Sequence, residues 1–374
     1  MPIDDEERAL LTLNLVPGLG PTRVRALRSH HGSARAAVAA AEGGWPQVLR
    51  GCDAAALAAA VDPAAGARES ERLARLGAWL ISDADPRFPT AWRSFDELPP
   101  LLYGRGSWPD GLAAWPPTAV AVVGSRRASA AATAFAYDLG RALARAGAVV
   151  VSGLAFGIDA AAHQGALDAG PGAAPTLAVV ASGVDRPGPA ANVPLARAIL
   201  ARGGALLSEA PIGYAPGRGD FPRRNRLVAA LVRAVVVVAA GVASGAHLTA
   251  GHAATYGRDV LVCPASPWDH ELAGNLALLR DGAVPLCSVD EAAASLGFTA
   301  VSSLPAADPR PDAAPRGVPS ELAWVWDALE QTPAALEELL ARTGRSVADT
   351  LVGLERLVAA GACAVDGARR YRRR

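Results

Sequence analysis

Short uncharged runs recur through the middle of the chain: Val120-Ala121-Val122-Val123, Val149-Val150-Val151, Thr176-Leu177-Ala178-Val179-Val180, Ala205-Leu206-Leu207, Val235-Val236-Val237-Val238 and Val260-Leu261-Val262. Alanine-rich stretches of helical period separate them. A strand that is apolar at every position is buried on both faces, and helices between successive strands are the connections of a parallel sheet. The pattern predicts a Rossmann-like α/β core. Residues 6–75 are helical in pattern, and residues 320–329, 333–340 and 346–360 predict three more helices before a small hairpin over 362–366 and 368–371. Between core and C-terminal helices, residues 299–319 are rich in Ala, Pro and Asp with no apolar period, and read as a linker. The expected divisions are a helical domain at 1–80, a core at 81–298, the linker, and a C-terminal domain at 320–374. Trp79, Phe88, Trp92 and Tyr103, interleaved with prolines, read as an ordered crossing into the core.

The unusual residues gather where strands end. Val123 runs into Gly124-Ser125-Arg126-Arg127, and Ser129 is placed to cap a helix over 130–146. Helix-start amides and two arginines at such a turn suit a phosphate-sized anion, although strand-glycine-helix turns also serve topology alone. After Val151 comes Ser152-Gly153-Leu154-Ala155-Phe156-Gly157-Ile158-Asp159, where Phe156 on a glycine-rich loop is suited to stacking on an unpaired base and Asp159 reads as a helix cap. Phe221-Pro222-Arg223-Arg224-Asn225-Arg226 puts three arginines at a helix start with only Asp220 beside them, against the helix dipole, so an anionic partner is expected. Ser244 and Thr249 offer hydroxyls at another helix start. Near the N-terminus, Val16-Pro17-Gly18-Leu19-Gly20-Pro21-Thr22-Arg23 has the form of a helix-hairpin-helix turn, which either contacts a DNA phosphate or only joins two small helices.

Composition narrows these readings. All 36 basic residues are arginine, matched by 36 acidic ones for a net charge of zero, so affinity for a polyanion must come from local clustering. Mean hydropathy is +0.21, yet the longest apolar run, residues 234–243, is shorter than the ~18–20 residues that cross a bilayer. With an acidic start, Asp4-Asp5-Glu6-Glu7, the expectation is a cytoplasmic protein without membrane contact. Cys52, Cys263, Cys287 and Cys363 make no metal-ligand pair and read as reduced core thiols. His247 and His252 lack the Glu of an H-E-x-x-H helix, so no metal and no cofactor is expected.

In order and spacing, Gly124-Ser125-Arg126-Arg127, residues 152–163, residues 221–226, residues 244–250 and Gly274-Asn275 resemble the DNA-processing protein A family, DprA, also called Smf. The resemblance covers the whole chain. It implies an extended Rossmann-like core, a small N-terminal all-α domain of helix-hairpin-helix or SAM-like type, and a C-terminal winged helix. It also implies a homodimer that binds single-stranded DNA in natural transformation, protects it, and loads RecA in place of single-stranded DNA-binding protein. The family's DNA pocket would fall on Ser125, Arg126, Gly153, Phe156, Arg223, Asn225, Arg226 and Ser244, beside Gly124; Arg127 and Arg224 join it on charge. The chain departs from the family pattern at Ala239-Ala240-Gly241, where an acidic residue usually ends the strand, and at Pro264-Ala265 in place of Pro-Gly.

Two other functions compete. Phosphoribohydrolases of the lysine-decarboxylase-like family share this type of core and cleave nucleoside monophosphates with a Glu that follows P-G-G-x-G-T; here Ser244-Gly245-Ala246-His247-Leu248-Thr249 is followed by no acid before Asp259. An adaptor acting through the terminal domains is the other. Whether the winged helix meets DNA, through the terminal arginines, or protein, through a surface holding Glu330, Glu337 and Glu338, stays open at this level.

Overall fold

A computed structural model describes residues 3–41, 43, 45, 48–49, 51–108, 118–298, 320–329, 334–359, 362–366 and 370–373. The expected linker at 299–319, and Ala368 of the expected hairpin, lie outside them. The chain forms two compact units, Met1–Val301 and Ser302–Arg374.

The first unit opens with helices α1 (Asp5–Asn14), α2 (Pro21–His31), α3 (Ala34–Ala39), α4 (Ala54–Ala59) and α5 (Ala65–Leu76). Helix α1 starts with a capping box in which Asp4 and Glu7 satisfy each other's backbone N–H groups. Strands β1 (Ala78–Ser82) and β2 (Leu101–Gly106) follow. Then strands and helices alternate: β3 (Ala119–Gly124), α6 (Ala130–Arg145), β4 (Val149–Ser152), α7 (Ile158–Leu167), β5 (Thr176–Val179), α8 (Val193–Ala201), β6 (Ala205–Ser208) and α9 (Asp220–Ala230). The unit closes with β7 (Ala234–Ala239), α10 (Gly245–Thr255), β8 (Asp259–Val262), α11 (Ala273–Arg280), β9 (Val284–Pro285) and α12 (Val289–Ser295).

Among the described residues these strands form one nine-stranded sheet in the order β1-β2-β6-β5-β4-β3-β7-β8-β9. From β6 to β9 along that order the strands are parallel, as the apolar runs predict, so the fold is mixed α/β around a large parallel sheet. Strands β1 and β2 extend one edge antiparallel, with Tyr103 opposite Ser208 and Leu80 opposite Tyr103. The sequence pattern reads this stretch as a crossing and misses both strands, because each is short and the segment between them carries Pro86, Pro89, Pro99 and Pro100. Strand β3 sits where the order reverses: the chain leaves it for β4 on one side and returns to β7 on the other.

Alternation along β3 shows why the centre of the sheet has no wet face. Ala119, Ala121 and Val123 enter one core cluster with residues of α9 and α10, whereas Val120 and Val122 enter the opposite one with α6 and α7. Each fully buried valine contributes about 1.5–3 kcal/mol of burial free energy, so a polar residue anywhere in the strand would be costly. The helical N-terminal segment shares a core with the β5–β6 side of the sheet, and Phe88, Trp92 and Tyr103 are fully buried. All four cysteines are free, but the core-thiol reading fails for Cys287, which is exposed.

In the second unit, α13 (Ala323–Ala328), α14 (Leu336–Thr343) and α15 (Val347–Ala359) precede β10 (Cys363–Val365), which pairs antiparallel with β11 (Tyr371–Arg373). Its core is Val325, Trp326, Leu339, Leu354 and Leu357. The observed return strand starts three residues later than the predicted 368–371, in register Val365 to Tyr371.

The departure at Ala239-Ala240-Gly241 leaves a strand end that another residue closes. Asn275, fully buried, accepts from Ala240 N at 2.7 Å and donates to Val238 O at 3.0 Å and Cys263 O at 2.8 Å, clasping β7, β8 and α11. Truncation to Ala would orphan one amide and two carbonyls, at a cost of about 2–4 kcal/mol. Chemical denaturation of Asn275→Ala is expected to show a loss of that size; a change below 0.5 kcal/mol, roughly the level of an uninvolved surface site, would contradict the clasp.

Candidate functional site

At the carboxyl end of β3 the register with β7 shifts after Val123, and Ser125 N donates to Ala239 O at 2.6 Å. The shift turns the loop away from the sheet. Ser125 Oγ accepts from Arg127 N at 3.1 Å, and Ser129 caps α6 through Ala132 N at 3.2 Å, as expected from sequence. Arg126 and Arg127 are left exposed on this turn. The Arg126 guanidinium lies 5.3 Å from the centre of the Phe221 ring, a cation–π contact that sets an aromatic face beside a charged fork.

The β4–α7 loop is held from below. Asp159 does not cap α7 from outside: it lies inside the first turn, 7 % exposed, and its carboxylate accepts from Gly153 N at 3.1 Å and Ala155 N at 3.3 Å. Asn192 donates to Leu154 O and Ala155 O at 2.9 and 3.1 Å. Gly157, at φ +72°, is required because a side chain there would run into the Ser125 carbonyl. This support leaves Phe156 46 % exposed at the loop tip.

Arg223, Arg224 and Arg226 do not form the single basic cluster that the sequence suggests. Arg224 is 5 % exposed, and its guanidinium donates to Gly153 O at 2.6 Å and to Val179 O. A Cβ on residue 153 would collide with it. Arg224 is therefore a strut under the loop and not an exposed phosphate fork, which corrects its assignment from charge alone. Arg226 is also buried, paired with Glu209, and Arg223 reaches the same carboxylate at 3.5 Å while remaining half-exposed. Glu209 is the counter-ion that sequence reading misses, 14 residues upstream of Arg223 and at the end of β6. Asn225 donates to Gly245 O at 3.0 Å, fixing α9 to the start of α10, where the Ser244 hydroxyl caps the helix through His247 N at 3.3 Å.

A groove of about 130 Å³ lies over these loops, bordered by Arg126, Phe156, Arg186, Pro189, Phe221 and Arg224. It brings together Arg126, Gly153, Phe156 and Arg224 from the expected set; Gly124, Ser125 and Arg127 share the loop of Arg126, while Asn225 meets Gly245, the neighbour of Ser244, at the α9–α10 junction. Arg186 and Pro189 do not stand out in the sequence, and Phe221 opens the 221–226 block with no sign of its partner. Their only signal there is adjacency to loop residues, since Phe221 stands 95 positions from the arginine it contacts. Two aromatic rings beside exposed guanidinium groups can hold a base and its phosphate together. Among the described residues no cluster of His, Cys, Asp or Glu could hold a metal ion.

Beneath the groove the buried charges shift one another. Burial lowers the Arg224 pKa to about 10, which still leaves it cationic, and raises that of Asp159 against the pull of Arg224. His163 is fully buried with Nδ1 2.7 Å from Thr176 Oγ1, which donates onward to Val150 O, so the network assigns the proton to Nδ1. Burial first, and then Arg224, push His163 down to about 3.

The native histidine refuses a proton that the unfolded chain takes near pH 6.5. Its contribution is present above that pH and lost as pH falls toward 3, at up to about 1.4 kcal/mol per pH unit. Urea unfolding at pH 7.5, 6.5 and 5.5 is expected to show a shallower decline for His163→Gln than for the natural chain. Equal slopes would contradict a neutral buried His163.

The model of the family "DNA recombination-mediator protein A" matches residues 79–297, which take in every loop of this groove. A DNA processing protein DprA of Mycobacterium tuberculosis is 38 % identical over 307 residues, 79 % of this chain and 77 % of that one. The protein Smf of Synechocystis is 32 % identical over 327 residues, 79 % and 80 % of the two chains. Among solved structures, DprA from Streptococcus pneumoniae superposes with a TM-score of 0.59 at 30 % identity, covering 80 % of this chain and all of that one. DNA processing protein A from Helicobacter pylori, whose structure was determined for its single-stranded DNA binding mode, gives 0.51 at 29 % identity over 59 % and 95 % of the two chains. The sequence match and the shared fold together place this chain in the DNA recombination-mediator protein A family.

Proposed function

We propose that this protein binds single-stranded DNA stoichiometrically along the carboxyl edge of its parallel sheet and acts as a recombination mediator. The observation that carries this reading is the pairing of Arg126 with the Phe221 ring at the mouth of a groove that Phe156 also borders. A guanidinium takes a phosphate, and an aromatic face takes any base, so such a groove favours an unpaired strand without favouring a sequence. The H. pylori relative's single-strand binding supports the same reading. A duplex offers no free base faces, so it should gain only the phosphate contacts.

The mediator role extends this reading. Strand bound by a homodimer would be protected and handed to a RecA-type recombinase in place of single-stranded DNA-binding protein, in natural transformation within the cytoplasm. The N-terminal helices would form the helix-hairpin-helix or SAM-like domain and the second unit the winged helix, joined by residues 299–319. On that winged helix, Arg356 is paired with Glu321 and stands next to exposed Glu355, which favours a protein partner over a phosphate backbone. Cleavage of nucleoside monophosphates is the weaker reading, since the segment from Ser244 to Thr249 supplies no carboxylate for N-glycosidic chemistry.

Fluorescence anisotropy with single- and double-stranded oligonucleotides at two salt concentrations tests the proposal. The single strand is expected to bind more tightly. In the exposed pair Arg126→Ala/Arg127→Ala the slope of log K against log salt should shrink by about 1.4, near 0.7 for each single-strand phosphate that the variant no longer neutralises. Phe156→Ala should cost about 1–3 kcal/mol with little change of slope. Equal binding of both DNA forms, or unchanged slopes in the arginine variant, would sink the assignment of the groove.

A further inference from the structure

The glycine hairpin between α1 and α2 takes no part in the groove, yet it forms one wall of a neighbouring space. A cleft of about 560 Å³ separates residues 16–21 from Glu209, Tyr214, Asp220 and Arg223 of the core. Ala181 and Arg224 border both this cleft and the groove, so the two spaces adjoin.

The acids that line the cleft are already engaged. Glu209 is held by Arg223 and Arg226, and Asp220 accepts from the Tyr214 hydroxyl and from Gly217 N, each at 2.8 Å. The donors are less committed. Among the described residues the amides of Gly18 and Gly20 have no acceptor, and Arg223 holds Glu209 only at 3.5 Å with its side chain 53 % exposed. Arg224, buried between the two spaces, keeps an Nε without a partner. A cleft lined by two residues with open amides and by a half-free guanidinium offers the donors that the tetrahedral oxygens of a phosphate diester take. The Tyr214 ring, 38 % exposed, stands on the same wall as Arg223.

We infer that this cleft is a second phosphate subsite, in which a single strand leaving the groove lays its backbone between Gly18, Gly20 and Arg223 with a base beside Tyr214. The inference rests on the groove being a single-strand site and lengthens its track by the nucleotides that cross the cleft. It gives the hairpin a ligand-binding part in place of a purely connecting one.

The backbone allows a clean test. Gly20 has φ −73°, the value proline imposes, and a Cβ there meets nothing within 4 Å. Gly20→Pro therefore deletes one amide donor, while Gly20→Ala keeps it. Anisotropy on an oligo-dT length series is expected to show Gly20→Ala following the natural protein at every length. Gly20→Pro should match it on the shortest oligonucleotides that bind, which fill the groove alone, and fall about tenfold behind on longer ones, the effect of one hydrogen bond to a charged oxygen. Photocrosslinking of the natural protein with 5-bromodeoxyuridine along a long oligonucleotide should label Tyr214, a result independent of how any variant folds. Gly20→Pro equal to the natural protein at all lengths, a loss that is the same at every length, or labelling that never reaches Tyr214 or the hairpin would each overturn the inference. A natural protein that binds no single strand of any length overturns the groove itself, a separate result.

Discussion

The site depends on one buried charge. Arg224 enters the protein from α9 and ends against the carbonyls of Gly153 and Val179, with the Asp159 carboxylate close enough to lower the cost of its burial. An isolated guanidinium in that position would be untenable; fixed by carbonyl acceptors and a nearby carboxylate it joins α9 to the ends of β4 and β5. Asp159 in turn gathers the amides of Gly153 and Ala155. Breaking such a buried arrangement by removing one partner costs several kcal/mol, whereas a surface ion pair contributes about 0–1. The loops that carry Phe156 are thus shaped before any ligand arrives.

That constraint divides the labour among the arginines. Positions 223, 224 and 226 lie on one helix but point about 100° apart for each residue of separation, so one faces solvent, one lies under the β4–α7 loop and one is buried against Glu209. Of these three, Arg223 alone is half-exposed and can meet an anion, together with Arg126 and Arg127 from the β3 loop and Arg186 at the border of the groove. In a chain with no net charge this economy matters: the proposed recognition would depend on a few correctly placed guanidinium groups and aromatic faces, not on a general field.

The N-terminal helices owe their seat to two acids, one partly and one almost fully buried. Arg28 binds Asp83 at 2.7 Å, and the almost fully buried Glu69 accepts from Ile212 N at 2.7 Å, reaching the loop that follows β6. Burial raises the Glu69 carboxyl group's pKa, as expected for a group held by one amide and a single exposed arginine. These contacts bring the glycine hairpin to the edge of the sheet where the loops converge.

By itself the sequence determined the local grammar. Short uninterrupted apolar runs, most of them rich in valine, read as buried strands, Ser129 could be read as a cap, and the recurring loop blocks pointed to a family whose relatives match the chain over most of its length. Those signals are local, because hydrophobic period and capping act over a few residues. What needed the tertiary structure was everything set by distance along the chain: the strand order that puts β3 at the reversal, the antiparallel edge of β1 and β2, and Phe221 under Arg126 from 95 positions away. Charge made Arg224 look like a ligand group; only packing revealed that its partners are backbone carbonyls. A side chain's type states what it can bind, and the fold decides which of its possible partners come within reach.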